Sequence, residues 1–313
     1  MKKMLVTAGG TATAWHISQI ANEFFNGKIE IHVCDTNKAE LVPTVVSTKK
    51  VHTVPPVVDK GYSEAVGEII NREGIDCILP LIPEEAYLFA PDSEFVRGRE
   101  LISSAPLLET TRLLADKENL FYTLDGLGIP TPRIYTLDRV EPDKEYLLKP
   151  RLGFGSMGVQ VIKGEKIKSA DNDIVIQDYC HSKEYDEVTV EVYNGKKGLH
   201  IFSRRRIATK AGVCVKMEPV DSSVFFPYIK KLVNSVECPV AFNVQFLYDQ
   251  GLWKLFDCNL RLGAGTALSS AIGFQLTRAL LAEMIGESSK TEWFDIDENV
   301  KTVLRVYKEV VVR

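Results

Sequence analysis

The first third of the chain alternates two hydrophobic periods, and that alternation limits the fold more than any other feature. "MLVTAGG" is an apolar run ending in glycines, and "TAWHISQIANEFF" carries apolar residues at helical spacing. "IEIHVCDT" is a second apolar run closed by an acid; "KKVHTVP", the helical "YSEAVGEIINREG" and the strand "IDCILPLI" follow. Strands alternating with helices make βαβ units and hence a parallel sheet. Ligands of such sheets sit beyond the carboxyl ends of the strands, and the Gly9-Gly10 turn and Asp35 lie at two of those ends. A dinucleotide site requires G-x-G-x-x-G after the first strand. "AGGTATAW" does not supply it, which counts against an NAD-dependent oxidoreductase.

Pro106 and "LLETTRLLADKENLFYTLDGLGIPTP" mark a change of pattern. Leu120, Leu124 and Leu127 fit one helix face, stopped by Gly128 and Pro130. Strands then dominate: "EYLLKP", "VQVIKG", "DIVIQDYC" and "VTVEVY". The last third adds further strands, the helices "SSVFFPYIKKLVNSV" and "GFQLTRALLAEMIG", and a tail that reads as a closing strand or two. The 313 residues suffice for two or three domains with their own cores. A net charge of −4 argues against a general nucleic-acid binder. The apolar run after "MKK" is too short for a signal peptide, and nothing approaches the ~18–20 apolar residues of a membrane span. Cys34, Cys77, Cys180, Cys214, Cys238 and Cys258 form no C-x-x-C pair and read as free thiols of a reducing, cytoplasmic setting.

Two stretches carry chemistry. In "YLLKPRLGFGSMGVQVI", Gly153, Gly155 and Gly158 satisfy G-x-G-x-x-G, but between two strands rather than between a strand and a helix. A glycine hairpin of that kind can fold over a triphosphate, its backbone N–H groups donating to phosphate oxygens. Lys149, at the end of the preceding strand, would reach the phosphates as a point charge; the plain alternative is a tight hairpin with a solvated lysine. The other stretch is "FNVQFLYDQGLWKLFDCNLRLGAG", which sets Gln245, Asp257, Asn259 and Arg261 among apolar strand residues. Period-two counting puts Asp257 and Asn259 on one side of their strand, with Arg261 just beyond and Gln245 on the neighbouring strand. These side chains are either a wet hairpin face or a cluster converging on a metal-bound phosphate.

Taken in order, these pieces resemble the ATP-grasp superfamily, and most closely a single synthetase unit of the carbamoyl-phosphate synthetase large chain. The resemblance spans nearly the whole chain and rests on five loose motifs in the right order. It implies an α/β and α+β architecture: a Rossmann-like pre-ATP-grasp domain over residues 1–107, a small lid subdomain with the glycine loop over 108–180, and a C-terminal subdomain with the metal site over 181–313. "DKENLFYTLDGLGIPTP" resembles the opening segment of an ATP-grasp domain and assigns Lys117 to the phosphates. Lys149 and the loop Gly153, Gly155, Ser156, Met157 and Gly158 match the lysine strand and phosphate loop. "IVIQDYC" matches the adenine hinge, giving Gln177, Asp178, Tyr179 and Cys180, with Gln177 where glutamate is common. Counting from the hinge makes Glu184 the ribose acid, whereas "EVTVEVY" favours Glu187, and both stand. Gln245, Asp257 and Asn259 match the family's metal ligands, and Arg261 its phosphate-binding arginine. Asp257 replaces the usual glutamate and is one methylene shorter.

The resemblance implies ATP and Mg²⁺ (or Mn²⁺) as cofactors, with Lys149 and Arg261 as the catalytic cations. The reaction it implies is activation of a small-molecule carboxylate as an acyl phosphate, attacked by an amine, with release of ADP and phosphate. No nucleic acid or membrane partner is expected, and a homodimer is allowed. A regulatory or non-catalytic ATP-binding protein of the same fold is the alternative. In "FSRRRIATKAG", Arg204, Arg205 and Arg206 alternate faces on a strand. Arg204 or Arg206 would face the cleft and hold a substrate carboxylate or phosphate, unless the run is simply a basic edge strand. His16, early on the first helix, reads as a surface or core histidine.

Overall fold

In the computed structural model, the described residues are 1–153, 158–168, 171–180, 187–210, 212–306 and 308–312. The alternating N-terminal pattern folds as β1 (Lys2–Val6), α1 (Ala12–Phe24), β2 (Ile29–Asp35), β3 (Lys50–Thr53), α2 (Tyr62–Glu73), β4 (Cys77–Leu79), α3 (Glu94–Arg97) and β5 (Ile102–Ser103). The strands pair in parallel, in the order β3-β2-β1-β4-β5. The Thr11 hydroxyl accepts from the backbone N–H of Ala14 and caps α1, satisfying one of the donors a helix start leaves open. Beyond the strand ends, the Asp35 carboxylate accepts from the N–H of Gly10 at 2.7 Å. The glycine turn and the acid at the strand ends therefore bind each other.

Two short helices follow, α4 (Leu108–Leu114) and α5 (Lys117–Gly126). Asp116 caps α5, its carboxylate accepting from the N–H groups of Glu118 and Asn119. Leu120 and Leu124 are buried on one face, and Gly128 ends the turn at φ +59°, a conformation glycine adopts without steric cost. A four-stranded antiparallel sheet comes next: β6 (Ile134–Tyr135), β7 (Glu145–Pro150), β8 (Gln160–Lys163) and β9 (Ile174–Asp178), ordered β6-β9-β7-β8. Its own core is small, built on Tyr146, Ile167 and Ile176.

The third sheet has six strands: β10 (Glu187–Gly195), β11 (Gly198–Lys210), β12 (Val213–Val220), β13 (Ala241–Asp249), β14 (Leu252–Asn259) and β15 (Val303–Leu304). Its order is β14-β13-β10-β11-β12-β15, antiparallel throughout. α6 (Phe226–Ser235) packs with α5 on one face through Ile229, Leu232, Phe242 and Phe246. α7 (Thr266–Ser270) and α8 (Leu276–Met284) join the N-terminal sheet to this one. Leu276, Leu281 and Met284 share one continuous core with Met4 and Ile17 on one side and Tyr193 and Phe202 on the other. The tail contributes one two-residue strand, β15. The six cysteines are free thiols, five of them buried, and no helix among the described residues is long and apolar enough to cross a membrane.

Candidate active site

A cleft of about 1100 Å³ opens where the three sheets meet. The carboxyl ends of the parallel strands contribute Ala8, Thr36, Leu81 and Glu84, and the four-stranded sheet contributes Leu147 and Lys149. The six-stranded sheet contributes a polar face whose composition follows from strand register. Asp257 on β14 lies opposite Gln245 on β13, Gln245 opposite Thr189 on β10, and Thr189 opposite Arg204 on β11. A second row runs from Asn259 through Asn243 to Glu191. Directly opposed residues project to the same face, so the two rows make one polar surface backed by the apolar residues between them.

A β-bulge sets the aim of Asp257. Gln245 pairs with Asp257 but Phe246 pairs with Leu255, which leaves Phe256 as an extra residue in β14. Without the bulge Phe256 would be paired, and Leu255 and Asp257, two apart, would share a face. With it, Leu255 is fully buried in the core while Asp257 lines the cleft. The extra residue's carbonyl accepts from Lys149 Nζ at 3.4 Å. One irregularity thus turns the acid toward the cleft and anchors the lysine that faces it.

The possible metal ligands are all oxygen donors. Asn259 Nδ2 donates to Asp257 Oδ2 at 2.9 Å, and Gln245 Nε2 donates to Glu187 Oε1 at 3.1 Å. Each amide nitrogen is spent on a carboxylate, and each amide oxygen has no protein donor among the described residues. Among those residues no group of three or more His, Cys, Asp or Glu side chains is placed to hold a metal. One carboxylate with amide oxygens is instead the donor set of a hard cation that takes further oxygens from phosphate, as Mg²⁺ does.

Three cations surround this set. Lys149 is only 5% exposed; burial pulls its pKa down to about 8, with Asp257 opposing and Lys117 adding to the fall. Lys117, the first residue of α5, donates from Nζ to the carbonyl of Gly153 at 3.1 Å, tying the helix to the start of the glycine loop. Arg261 lines the cleft and donates to the carbonyl of Leu262. Burial lowers its pKa, while the charges of Asp257, Glu84 and Glu85 raise it. Of the glycine loop, Gly153 and Gly158 have positive φ, at +130° and +73°; Gly155, Ser156 and Met157 lie outside the described residues.

The hinge residues lie on and just after β9. The Gln177 side chain is buried, donating from Nε2 to the carbonyl of Pro132, and so faces away from the cleft. Asp178 is paired with Lys144 and accepts from the Tyr135 hydroxyl. Tyr179 and Cys180 follow, both partly buried. Glu184 lies outside the described residues. Glu187 begins β10, where its carboxylate accepts from both Arg206 and Gln245.

Alternation on β11 puts Arg204 and Arg206 on the cleft side and Arg205 on the other, near Glu218. His16 is partly buried: its Nε2 is covered with no partner among the described residues, and burial with the nearby Arg305 charge lowers its pKa to about 4. Sequence reasoning missed Glu84 and Glu85. Glu84 lines the cleft. Glu85 is fully buried, accepting from the Thr7 and Tyr62 hydroxyls and from the N–H of Ile82. Their position just beyond the carboxyl end of a parallel strand is the signal that could have found them. Asn243, Thr189 and Glu191 were legible by counting in twos from Gln245 and Glu187.

Comparison with known families settles the class. Residues 4–100 match the N-terminal domain of PylC-like proteins, and residues 114–264 match the ATP-grasp domain. The chain carries an ATP-grasp domain preceded by a PylC-like N-terminal domain. Among solved structures, N5-carboxyaminoimidazole synthetase from Staphylococcus aureus, complexed with ADP, aligns over 92% of this chain and 78% of its own (14% identity, TM-score 0.73). The biotin carboxylase domain of 2-oxoglutarate carboxylase from Hydrogenobacter thermophilus, in complex with MgADP, ADP and bicarbonate, aligns over 95% and 72% (15% identity, TM-score 0.74). Carboxyaminoimidazole ribonucleotide synthase from Aspergillus clavatus, complexed with ATP, aligns over 95% and 80% (15% identity, TM-score 0.71). No curated protein matches the sequence. At these identities the structures carry the fold: a parallel five-stranded sheet followed by the two antiparallel sheets of the ATP-grasp domain.

Proposed function

We propose that this chain is an ATP-dependent, ADP-forming ligase that activates a small-molecule carboxylate as an acyl phosphate for attack by an amine. The observation that carries the reading is the convergence on one cleft of Lys149, Arg261, Asp257, Asn259 and Gln245 from two sheets. Three relatives of the same fold were solved with ADP, MgADP or ATP, which supports a nucleotide in that cleft.

In this reading the backbone of Asp178, Tyr179 and Cys180 meets the adenine, and Glu187 or Glu184 the ribose. The loop from Gly153 to Gly158, with Gly155, Ser156 and Met157, covers the phosphates as part of a lid formed by residues 108–180. Asp257, Asn259 and Gln245 hold Mg²⁺, which when bound offsets phosphate charge. Lys117, Lys149 and Arg261 stabilise the charge that develops on the transferred phosphoryl group. A carboxylate oxygen of the substrate attacks the γ-phosphorus and ADP leaves; the amine then attacks the acyl carbon and phosphate leaves. No protein nucleophile is required. The lid must exclude water, since an open acyl phosphate hydrolyses.

The test is Mg²⁺-dependent ADP release across a panel of amino acids and small dicarboxylates presented in pairs. Release should require an acid and an amine together. Asp257→Ala and Lys149→Ala should lower it by at least about 100-fold, with circular dichroism unchanged. Nucleotide binding without Mg²⁺ dependence, and no stimulation by any pair, would favour the non-catalytic ATP-binding alternative. Binding of NADH but not ATP would sink both.

A further inference from the structure

Arg204, Arg205 and Arg206 differ in what their guanidinium groups have left to offer. Arg206 is spent: Nη1 pairs with Glu187, and Nη2 donates to the carbonyl of Gly212. Arg205 faces away from the cleft. Arg204 is only 3% exposed, yet it lines the cleft. Its Nη1 pairs with the buried carboxylate of Glu191, which also accepts from the Ser269 hydroxyl. Its Nε is buried with no partner, and no hydrogen bond engages its Nη2 among the described residues. One planar edge of a buried, always-charged group, Nε with Nη2, is therefore unused. That edge is the one that binds a carboxylate with two parallel hydrogen bonds.

Its surroundings suit an anion. Gly265 packs on the guanidinium so closely that a Cβ there would lie 2.1 Å from Nη2. The start of α1 also lines the cleft; its first turn carries no acid, and the hydroxyl of Thr13, a residue only 7% exposed, has no hydrogen-bond partner among the described residues. A helix start favours negative charge. The backbone of β11 is three strand spacings from that of β14, about 14 Å. Arg204 therefore sits away from the Asp257 end of the cleft.

We propose that Arg204 is a specificity-determining residue whose free guanidinium edge binds a carboxylate of the substrate remote from the reacting group. This rests on the ligase reading of the cleft and adds a substrate class to it: one of the two substrates carries a carboxylate that is recognised rather than activated. Glu191 already balances the charge of Arg204, so a singly charged planar carboxylate fits better than a phosphate dianion.

The experiment measures binding, so it does not depend on turnover. With Mg²⁺ and a non-hydrolysable ATP analogue bound, calorimetry compares amino acids and small dicarboxylates, their amide-capped counterparts, and glycerol phosphates. A carboxylate compound should bind, and its amide-capped counterpart should bind at least about tenfold more weakly. Arg204→Lys keeps the charge opposite Glu191 but lacks the planar edge, and should cost a similar factor while leaving the affinity for the ATP analogue unchanged. Gly265→Ala, which displaces the guanidinium without removing it, should do the same. The proposal is overturned if capped and uncapped compounds bind alike, if either variant that remains folded binds as the wild type does, if glycerol phosphates are preferred, or if no carboxylate compound binds. Failure of the ligase reading shows separately, as absence of ADP release from a protein that still binds these ligands.

Discussion

At the scale of single residues, Lys149 makes the sharpest statement about pH. Its charged form is the one that would contact phosphate, and burial holds its pKa at about 8 in the free protein. Bound phosphate would raise that value, so nucleotide binding should take up a proton and weaken as pH rises above about 8. Titrating ATP-analogue affinity between neutral and alkaline pH checks this; Lys149→Arg, which stays charged, should flatten the profile. Asp257→Asn keeps the shape and removes the only carboxylate of the proposed metal set, and should weaken Mg²⁺-dependent nucleotide binding by about tenfold or more. Asp257, Asn259 and Gln245 were legible as one cleft-facing group from strand alternation, and Lys149 from its place at the end of the strand before the glycine loop. Gln177 was less so: its place in the strand was readable, but its bond to the carbonyl of Pro132 depends on a chain crossing 45 residues away. The unused edge of Arg204 was not readable at all, because it is defined by Glu191 and Gly265 on other elements.

At the scale of elements, helix boundaries followed local chemistry and sheet irregularities did not. α5 was readable from Leu120, Leu124 and Gly128, and Asp116 caps its start. Asp116 also receives Arg151 from the end of β7, so the cap fixes Lys117 relative to the lysine strand. Asp116→Ala should cost about 1–2 kcal/mol, read as a lowered denaturation midpoint, and should weaken ATP-analogue binding more than a surface change of equal stability cost. The bulge at Phe256 left no signature in the sequence, since it is a one-residue slip between two strands that each look regular alone. Deleting Phe256 would make Leu255 and Asp257 consecutive and so keep them on opposite faces, but it removes the residue whose carbonyl accepts from Lys149 Nζ, and should lower turnover even in protein that still folds.

At the scale of the molecule, the parallel sheet, the small antiparallel sheet and the six-stranded sheet were legible as classes from period and order. Their strand orders and the way α8 joins two of them were not, because these are set by contacts far apart in sequence. Leu281 is fully buried in the core that α8 shares with the N-terminal sheet and β10. Leu281→Ala should cost about 2–5 kcal/mol and lower both units together in one unfolding transition; two separate transitions would mean that this core does not couple them. In the proposed reaction a phosphoryl group passes from ATP to a substrate carboxylate in the cleft where these sheets meet. This transfer is tested most directly by supplying the active acid labelled with ¹⁸O in its carboxyl group, together with its amine, and measuring the released phosphate by mass spectrometry. One labelled oxygen per phosphate is the expected result, whereas release of unlabelled phosphate during product formation would contradict an acyl phosphate and the ligase mechanism with it.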